Sequence, residues 1–167
     1  MTRTISYSLL IAVAILFSSF KPAPAEYSAT MEGWEVDVNK AIELSNSSGK
    51  PIMANFTGSD WCGWCIRLKN EVFTKDKFNE WAKENVILLE LDFPRRMTIP
   101  ENIKLQNSQL AKAFSVTGYP TIWVFEAKTD PTSKKSQLNA LTRSGYVAGG
   151  PAGWIKDMDA KLAAIKK

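Results

Sequence analysis

The two cysteines of the chain, Cys62 and Cys65, are three residues apart within the sequence WCGWC at residues 61–65. In a helix, residues i and i+3 share one face, and one turn brings their Cα atoms within the roughly 4.4–6.8 Å that a disulfide requires. A C-x-x-C pair is typical of thiol redox chemistry, because one thiol attacks a sulfur and the other resolves the adduct. The residue types and their spacing therefore predict a dithiol that cycles with an internal disulfide.

This pair is predicted to lie where a strand is followed by a helix. The apolar run at residues 51–56 suits a strand buried on both faces, and residues 66–73 have the pattern of a helix. Cys62 would then stand at the helix N-terminus, where unpaired N–H groups and the helix dipole favour an anion. We assign Cys62 as the attacking thiol and Cys65, one turn further in, as the resolving thiol. We also expect Cys62 to be the more exposed of the two.

Other uses of the cysteine pair are less favourable on physical grounds. A structural disulfide across one helical turn closes almost no loop, so it would stabilise the fold little. Zinc requires about four protein ligands, which a chain with two cysteines and no histidine does not supply. Copper(I) binds two thiolates, so a copper(I) carrier is an alternative, as is a non-catalytic folding-assistance domain. The redox interpretation predicts no metal and no cofactor beyond the Cys62–Cys65 disulfide.

Two motifs give the chain its resemblance to a known family. WCGWC resembles the active site of the thioredoxin family, whose commonest form is WCGPC, with Trp64 in place of the proline. GYPT at residues 118–121 is similar to the family loop that carries a cis-proline before a strand, and it lies about 55 residues after Cys65. FTGSDWC at residues 56–62 and EVF at residues 71–73 are similar to the secreted bacterial branch. The resemblance covers nearly all of the chain after residue 25.

This resemblance implies a thiol–disulfide oxidoreductase with an α/β thioredoxin fold, in which a central mixed β-sheet is flanked by helices on both faces. It implies that Tyr119 and Pro120 lie against the cysteines, where the backbone of Tyr119 pairs with an extended substrate. The alternative is an ordinary trans-proline in a turn. Trp61 matches the family. Trp64 is expected to be partly exposed and to offer substrates an apolar surface, the alternative being simple packing.

The expected route of proton transfer departs from the family. Thioredoxins carry a buried acid on the central strand that takes the proton from the second cysteine. An alignment on Phe56 that allows one inserted residue places Asn55 there, and asparagine cannot accept a proton. If this alignment is wrong, Asn55 only forms hydrogen bonds with backbone groups. If it holds, the acceptor is water or Glu90, whose apolar neighbours at residues 86–91 predict a raised pKa suited to a general base.

Residues 1–25 have the pattern of a secretory signal peptide, with Arg3, an apolar run at residues 9–17 and an A-x-A site at residues 23–25. The apolar run is shorter than the roughly 20 residues that a membrane-spanning helix needs. We therefore expect cleavage before Glu26, with an uncleaved anchor as the alternative. Residues 26–167 would then form one thioredoxin-like domain that is periplasmic or secreted, where disulfide substrates occur.

Composition and charge limit the expected partners. The chain is 45% hydrophobic and 23% charged, as in ordinary globular domains. Without residues 1–25 it has 19 basic and 17 acidic residues, and a net charge of +2 is too small to indicate nucleic acid or a membrane surface. We expect protein or peptide disulfides or dithiols as substrates, a membrane electron donor, and a monomer. The residues between the cysteines lack the histidine of strongly oxidising family members, which favours the reducing direction.

The remaining pattern alternates helices with strands, which predicts a mixed sheet with helices on both faces. The loop at residues 94–100 is longer than in a minimal thioredoxin, and its Arg95 and Arg96 are either solvated or guide an acidic partner. An extended segment at residues 26–35, which we call the lead-in, is predicted to pack on the domain through Trp34. It is followed by a helix at 37–47, between Asp37 and Gly49, a strand at 86–93 and a helix at 106–114. The chain is predicted to end with a hairpin of strands at 121–125 and 138–143 and a terminal helix whose apolar face consists of Trp154, Met158, Leu162 and Ile165.

Overall fold

The computed structural model describes residues 27–129 and 136–165. Residues 1–25, where the signal peptide is predicted, and most of the predicted turn between the last two strands lie outside the described residues. A π-helical segment, Lys69–Phe73, connects the second and third α-helices. The other elements are α1 Val38–Ser48, β1 Ile52–Thr57, α2 Gly63–Leu68, α3 Asp76–Asn85, β2 Ile87–Asp92, α4 Glu101–Ala113, β3 Thr121–Thr129, β4 Ser136–Ser144 and α5 Gly150–Ile165.

The four strands form a mixed sheet in the order β2-β1-β3-β4. Strand β1 is parallel to β2 and antiparallel to β3, and β3 and β4 form an antiparallel hairpin. Successive side chains of β1 point to opposite faces of the sheet. Ile52, Ala54 and Phe56 pack with α1 and α4, whereas Met53 packs with α2, α3 and α5. The predicted mixed sheet with helices on both faces is confirmed.

Helix α1 begins and ends where the sequence predicts. The Asp37 side chain accepts the N–H of Asn39 at 2.7 Å, which satisfies one of the unpaired donors at the helix start. Gly49 has φ 72°, a left-handed conformation that closes the last turn, and its N–H donates to the Ser45 carbonyl. Strands β1 and β2 each lie within one residue of their predicted ranges.

The helical connection after the cysteines is interrupted near residues 74–76. The π-helical segment ends at Phe73, and α3 begins at Asp76. The ring of Phe73 is buried, with its centroid 4.8 Å from Phe78 and 5.5 Å from Trp154. Trp34 of the lead-in also packs on this aromatic cluster, at 5.2 Å from Phe73. The helix that carries the cysteines is therefore fixed to the core by the segment that follows it.

Three predicted elements have the wrong bounds, and one residue of the predicted terminal helix does not pack in the core. Helix α4 begins at Glu101, five residues before the predicted start, and Pro100, with φ −55° and ψ 141°, is its N-cap residue. Strands β3 and β4 each have nine residues, more than predicted, since the pairing of the two strands continues to Thr129 and Ser136, which are polar residues near the turn. Ile165 is 43% exposed, so its predicted core contact is wrong: the buried residues of α5 are Trp154 and Met158, nearer its start.

The lead-in before α1 adds a short pairing to the outer edge of β2. The Glu35 N–H donates to the Leu88 carbonyl at 2.9 Å, and the Glu90 N–H donates to the Glu35 carbonyl at 2.8 Å. This pairing places Glu35 along the outer edge of β2, and Thr30 of the same segment contacts Glu90. Among the described residues, no helix combines the length and the apolar character needed to cross a bilayer.

Candidate active site

The cysteine pair occupies the start of α2. Cys62 is the N-cap of the helix and forms a disulfide with Cys65, with the two Cα atoms 5.2 Å apart. The Cys65 N–H donates to Cys62 Sγ at 3.2 Å, and the Ile66 N–H donates to the Cys62 carbonyl at 3.0 Å. Cys62 is 7% exposed and Cys65 is 4% exposed, so Cys62 is the more accessible by a small margin. The sulfur of Cys62 thus lies where helix N–H groups stabilise negative charge.

Trp61 forms a fixed wall beside Cys62. Its indole N–H donates to the Phe93 carbonyl at 2.8 Å. One side of the ring lies on Gly58, where an added Cβ would fall 2.5 Å from the indole. The Arg95 guanidinium lies 3.7 Å from the ring centroid, and the Tyr119 ring meets Trp61 edge-on at 5.9 Å. These four contacts leave Trp61 little freedom to move.

Trp64, between the two cysteines, is 56% exposed, so the expected partial exposure is confirmed. Its ring centroid is 5.1 Å from that of Tyr146, and the Arg67 guanidinium lies 5.4 Å from one ring and 5.2 Å from the other. Glu71 accepts the Tyr146 hydroxyl at 2.6 Å and Arg67 Nε at 2.8 Å. These two hydrogen bonds lower the pKa of Glu71, the Tyr146 hydroxyl having the larger effect. Trp64 and Tyr146 together make an aromatic surface beside the disulfide.

The Tyr119–Pro120 peptide bond is cis, as the family resemblance implies. Both residues precede the first register pair of β3 with β1, which joins Thr121 to Phe56, so their backbone lies outside the sheet pairing. The Tyr119 ring is half-buried between Trp61 and Phe93, and this burial raises its pKa. The turn is thereby placed next to the residue that precedes Cys62.

A small cavity of about 10 Å³ lies behind Cys65, about the space of one water molecule. Asn55 and Glu90 both line it, since they face each other in the parallel register of β1 and β2. Both are buried, at 4% and 1% exposure. Within the described part of the chain, Asn55 Oδ1 has no hydrogen-bond partner. The structure therefore brings the two residues considered for proton transfer to the inner side of Cys65.

Glu90 is held by the lead-in segment. Its two carboxyl oxygens accept the Thr30 N–H at 2.8 Å and the Thr30 hydroxyl at 2.7 Å. The pKa of Glu90 is raised, chiefly by burial, and the two hydrogen bonds from Thr30 oppose this rise. Lys69 Nζ donates to the Thr30 carbonyl at 3.0 Å and links the lead-in to the helical segment after the cysteines. The predicted rise in the Glu90 pKa is confirmed, whereas Thr30 and Lys69 were not predicted.

A second buried acid, Asp92, lies on the same strand. It is 1% exposed and accepts the Ser59 N–H at 2.9 Å and the Ser59 hydroxyl at 2.5 Å. Burial and the nearby charges of Asp92 and Glu90 raise the pKa of Tyr27 to about 12. Residues two apart on a strand share a face, so the spacing of Glu90 and Asp92 is a signal that could have found this acid.

The arrangement supports thiol–disulfide exchange. A sulfur at a helix start can act as a nucleophile, a second sulfur lies one turn further in, and a carboxyl group of raised pKa lies behind the second. Within residues 27–129 and 136–165, no group of three or more His, Cys, Asp or Glu side chains is placed to hold a metal ion. A C-x-x-C disulfide at the first turn of a helix, on this sheet, defines a thioredoxin-fold protein of the thiol–disulfide oxidoreductase class.

Comparison with known proteins identifies the family. A family model described as a thioredoxin-like domain matches residues 38–135, and the chain belongs to this family. Disulfide bond reductase DsbH of Chlamydia pneumoniae is 31% identical over 129 residues, which are 77% of this chain and 72% of that protein. The thioredoxin-related protein DsbJ of the same organism is 28% identical over 87 residues, 52% of this chain and 25% of DsbJ.

Solved structures agree with this assignment. A structure of DsbH oxidoreductase superposes with a TM-score of 0.67 and 28% sequence identity, covering 84% of this chain and 94% of that chain. A thioredoxin from Thermus thermophilus superposes with a TM-score of 0.54 at 15% identity, covering 77% and 88% of the two chains. This second likeness bears on the fold alone. The predicted thioredoxin fold is confirmed.

Proposed function

We propose that this chain is an exported reductase that breaks disulfides in proteins or peptides. The observation that carries the proposal is the position of Cys62, whose sulfur caps α2 and accepts the Cys65 N–H while bonded to Cys65. The reducing direction is supported by the similarity to DsbH, which is named a disulfide bond reductase. It is also supported by the Gly63-Trp64 pair, which lacks the histidine of strongly oxidising family members.

The proposed cycle has two exchange steps. The Cys62 thiolate attacks one sulfur of the substrate disulfide, a mixed disulfide forms, and the second substrate sulfur leaves as a thiolate that takes up a proton. The Cys65 thiol then loses its proton and attacks Cys62 Sγ. The Cys62–Cys65 disulfide forms and the first substrate sulfur is released. Two electrons pass from the protein to the substrate, and an external dithiol, which we assign to a membrane electron donor, must reduce the protein again.

The proton of Cys65 is proposed to leave through the inner cavity. Glu90 and Cys65 both line this cavity. Because the pKa of Glu90 is raised, it lies closer to neutral pH than the pKa of an exposed glutamate, which makes the Glu90 carboxylate the better general base. A water molecule in the cavity is the alternative acceptor. Asn55 cannot take the proton, but its Oδ1 can accept a hydrogen bond from the Cys65 thiol, which would orient that thiol in the reduced protein.

Substrates are proposed to bind on the outer side of the disulfide. The backbone of Tyr119, which lies before the paired part of β3, is available to an extended peptide, and Pro120 shapes this turn. Trp64 supplies an exposed apolar surface beside the cysteines, while Trp61 forms the opposite wall. Because such contacts use backbone and apolar surface, they demand little of the substrate sequence.

The proposed location is the periplasm or the exterior of the cell. The signal-peptide pattern of residues 1–25 supports this proposal, and so does the need of a reductase for disulfide substrates, which form outside the cytosol. We propose that residues 26–167 form one thioredoxin-like domain that acts as a monomer. N-terminal sequencing of the protein from the periplasmic fraction of a bacterial host tests cleavage before Glu26.

The reduction of insulin by dithiothreitol tests the proposed activity. The protein should accelerate insulin precipitation, and the Cys62→Ala and Cys65→Ala double variant should not. A copper(I) carrier or a folding-assistance domain would instead leave precipitation at the uncatalysed rate, and that outcome would refute the proposal. The reduction potential of the Cys62–Cys65 pair, measured against glutathione, tests the direction: a value below about −230 mV supports a reductase, and one near about −120 mV indicates an oxidase.

A further inference from the structure

The loop between β2 and α4 is tied to the segment that precedes Cys62. The Asp60 carboxylate accepts the backbone N–H groups of Arg95 at 2.9 Å, Arg96 at 2.6 Å and Met97 at 3.1 Å. These donors, with that of Arg95 first, lower the pKa of Asp60, so the carboxylate stays ionised and keeps the loop anchored at neutral pH. The position of the loop is therefore set relative to the active site.

This anchoring places the Arg95 guanidinium 3.7 Å from the centroid of the Trp61 ring, immediately before the attacking cysteine in the chain. In the part of the chain that the structure describes, the guanidinium forms no salt bridge, and the Asp60 carboxylate is occupied by backbone N–H groups. A guanidinium has five N–H donors in a planar fork that matches a carboxylate. Arg95 thus presents guanidinium donors at the edge of the site that no carboxylate of the described residues holds in a salt bridge.

The other flank of the site differs in charge. Arg67 also lies against an aromatic ring, that of Trp64, but its Nε donates to Glu71 at 2.8 Å. The Arg67 guanidinium is therefore paired with a neighbouring carboxylate, whereas the Arg95 guanidinium forms no salt bridge with any described residue. An anionic group of a substrate is consequently attracted to the Trp61 flank rather than the Trp64 flank.

We propose that Arg95 forms a carboxylate-binding subsite that favours disulfides whose reacting cysteine is flanked by Asp or Glu. The proposal rests on the oxidoreductase function proposed above. Contact with the Trp61 ring at 3.7 Å restrains the guanidinium, so less side-chain freedom is lost when a carboxylate binds than at an unsupported arginine. The occupant is an acidic peptide segment, because the fork of donors pairs with carboxylate oxygens in a charge-assisted geometry.

The test uses three peptide disulfides that differ only beside the cysteine, with Glu, Gln or Lys at the same positions. Single-turnover reduction by the reduced protein at low ionic strength should be about three- to fivefold faster for the Glu peptide than for the Gln peptide, as expected for a partly solvated charge pair. Arg95→Gln should bring this ratio to about one. Arg96→Gln is the matched control, since it removes the same charge from the same loop and should keep the preference.

Two further measurements separate a local contact from other causes. Raising the salt concentration should reduce the preference, because surface charges are screened. Arg95→Glu should reverse the preference and make the Lys peptide the faster substrate. The proposal is overturned if the wild-type protein reduces all three peptides at one rate, or if Arg96→Gln removes the preference as fully as Arg95→Gln. Failure to reduce any of the peptides would refute the oxidoreductase function itself.

Discussion

The two sides of the Cys62–Cys65 disulfide differ in burial and in chemistry. On the outer side, Trp64 is 56% exposed and the Arg95 guanidinium faces outward over Trp61. On the inner side, Asn55 and Glu90 are almost fully buried around a cavity of about one water molecule. The outer side has room for a peptide and the inner side does not. Substrate choice and proton transfer are thus assigned to different surfaces of one disulfide.

This separation predicts that inner substitutions alter one chemical step and outer substitutions alter binding. A group behind Cys65 should matter when Cys65 becomes a nucleophile, and little when Cys62 attacks. A group on the outer surface contacts the substrate before either sulfur reacts, so it should change KM more than kcat. The predictions below run from the largest expected effect to the smallest.

The largest effect is expected on the inner side. Glu90→Gln keeps the size of the side chain and an acceptor for the Thr30 N–H, but it removes the proton acceptor. Resolution by Cys65 should slow by about 100-fold, the lower end of what a general base contributes, while attack by Cys62 stays within about twofold. Single-turnover kinetics with a fluorescent peptide disulfide, measured from pH 5 to pH 9, resolve the two steps.

Thr30→Val is a matched variant for this experiment, because it removes the hydroxyl that donates to Glu90 and retains the carboxyl group. Thr30→Val should slow resolution by Cys65 less than Glu90→Gln does. Equal slowing of both steps by Glu90→Gln, or no slowing of either, would contradict a role for Glu90 and leave water as the acceptor.

An intermediate effect is expected on the outer side. Trp64→Ala removes an exposed ring, and loss of about 50 Å² of apolar contact at about 25 cal/mol/Å² corresponds to about an eightfold rise in KM for apolar peptides. Stability should change little, because the ring is at the surface. Trp64→Phe should restore most of the affinity, and Leu105→Ala, an equally exposed apolar site on α4, should have no effect on KM. A fall in kcat with unchanged KM would contradict the assignment.

The smallest effect is expected on stability. Burial raises the pKa of Glu90. The stability that Glu90 contributes to the folded state is therefore fully present below the usual pKa of a glutamate, and it is lost as the pH rises through the raised pKa. Glu90→Gln cannot ionise, so its stability relative to the wild type should increase across that pH range and then stay constant. Urea unfolding of both proteins between pH 4 and pH 9 measures this difference. A difference that does not change with pH would contradict burial as the dominant influence.

Features carried by short stretches of sequence were predictable. The cysteine spacing, the GYPT turn and the cap of α1 each depend on fewer than ten consecutive residues, and the structure has them where they were expected. The apolar run around Glu90 was sufficient to predict the direction of its pKa shift. Burial on a central strand is visible in sequence because the neighbouring residues are apolar.

Features that depend on distant contacts were missed. Thr30 is 60 residues from Glu90 in sequence, and Tyr146 is 75 residues from Glu71, although each pair is joined by a hydrogen bond. The early start of α4 was missed for a local reason, since Pro100 suggested only a loop, whereas it is the N-cap residue directly before the helix. Side chains that meet only through tertiary packing leave no pattern in a single sequence.

The central claim is that Cys62 attacks the substrate disulfide and Cys65 resolves the mixed disulfide. Trapping of mixed disulfides tests this claim most directly. Each single alanine variant is reduced, incubated with a disulfide-containing protein, blocked with an alkylating reagent and run on a non-reducing gel. Cys65→Ala should accumulate the mixed disulfide through Cys62, because nothing resolves the adduct. Cys62→Ala should trap little or none, and the double variant none. More adduct with Cys62→Ala than with Cys65→Ala would contradict the claim and reverse the two roles.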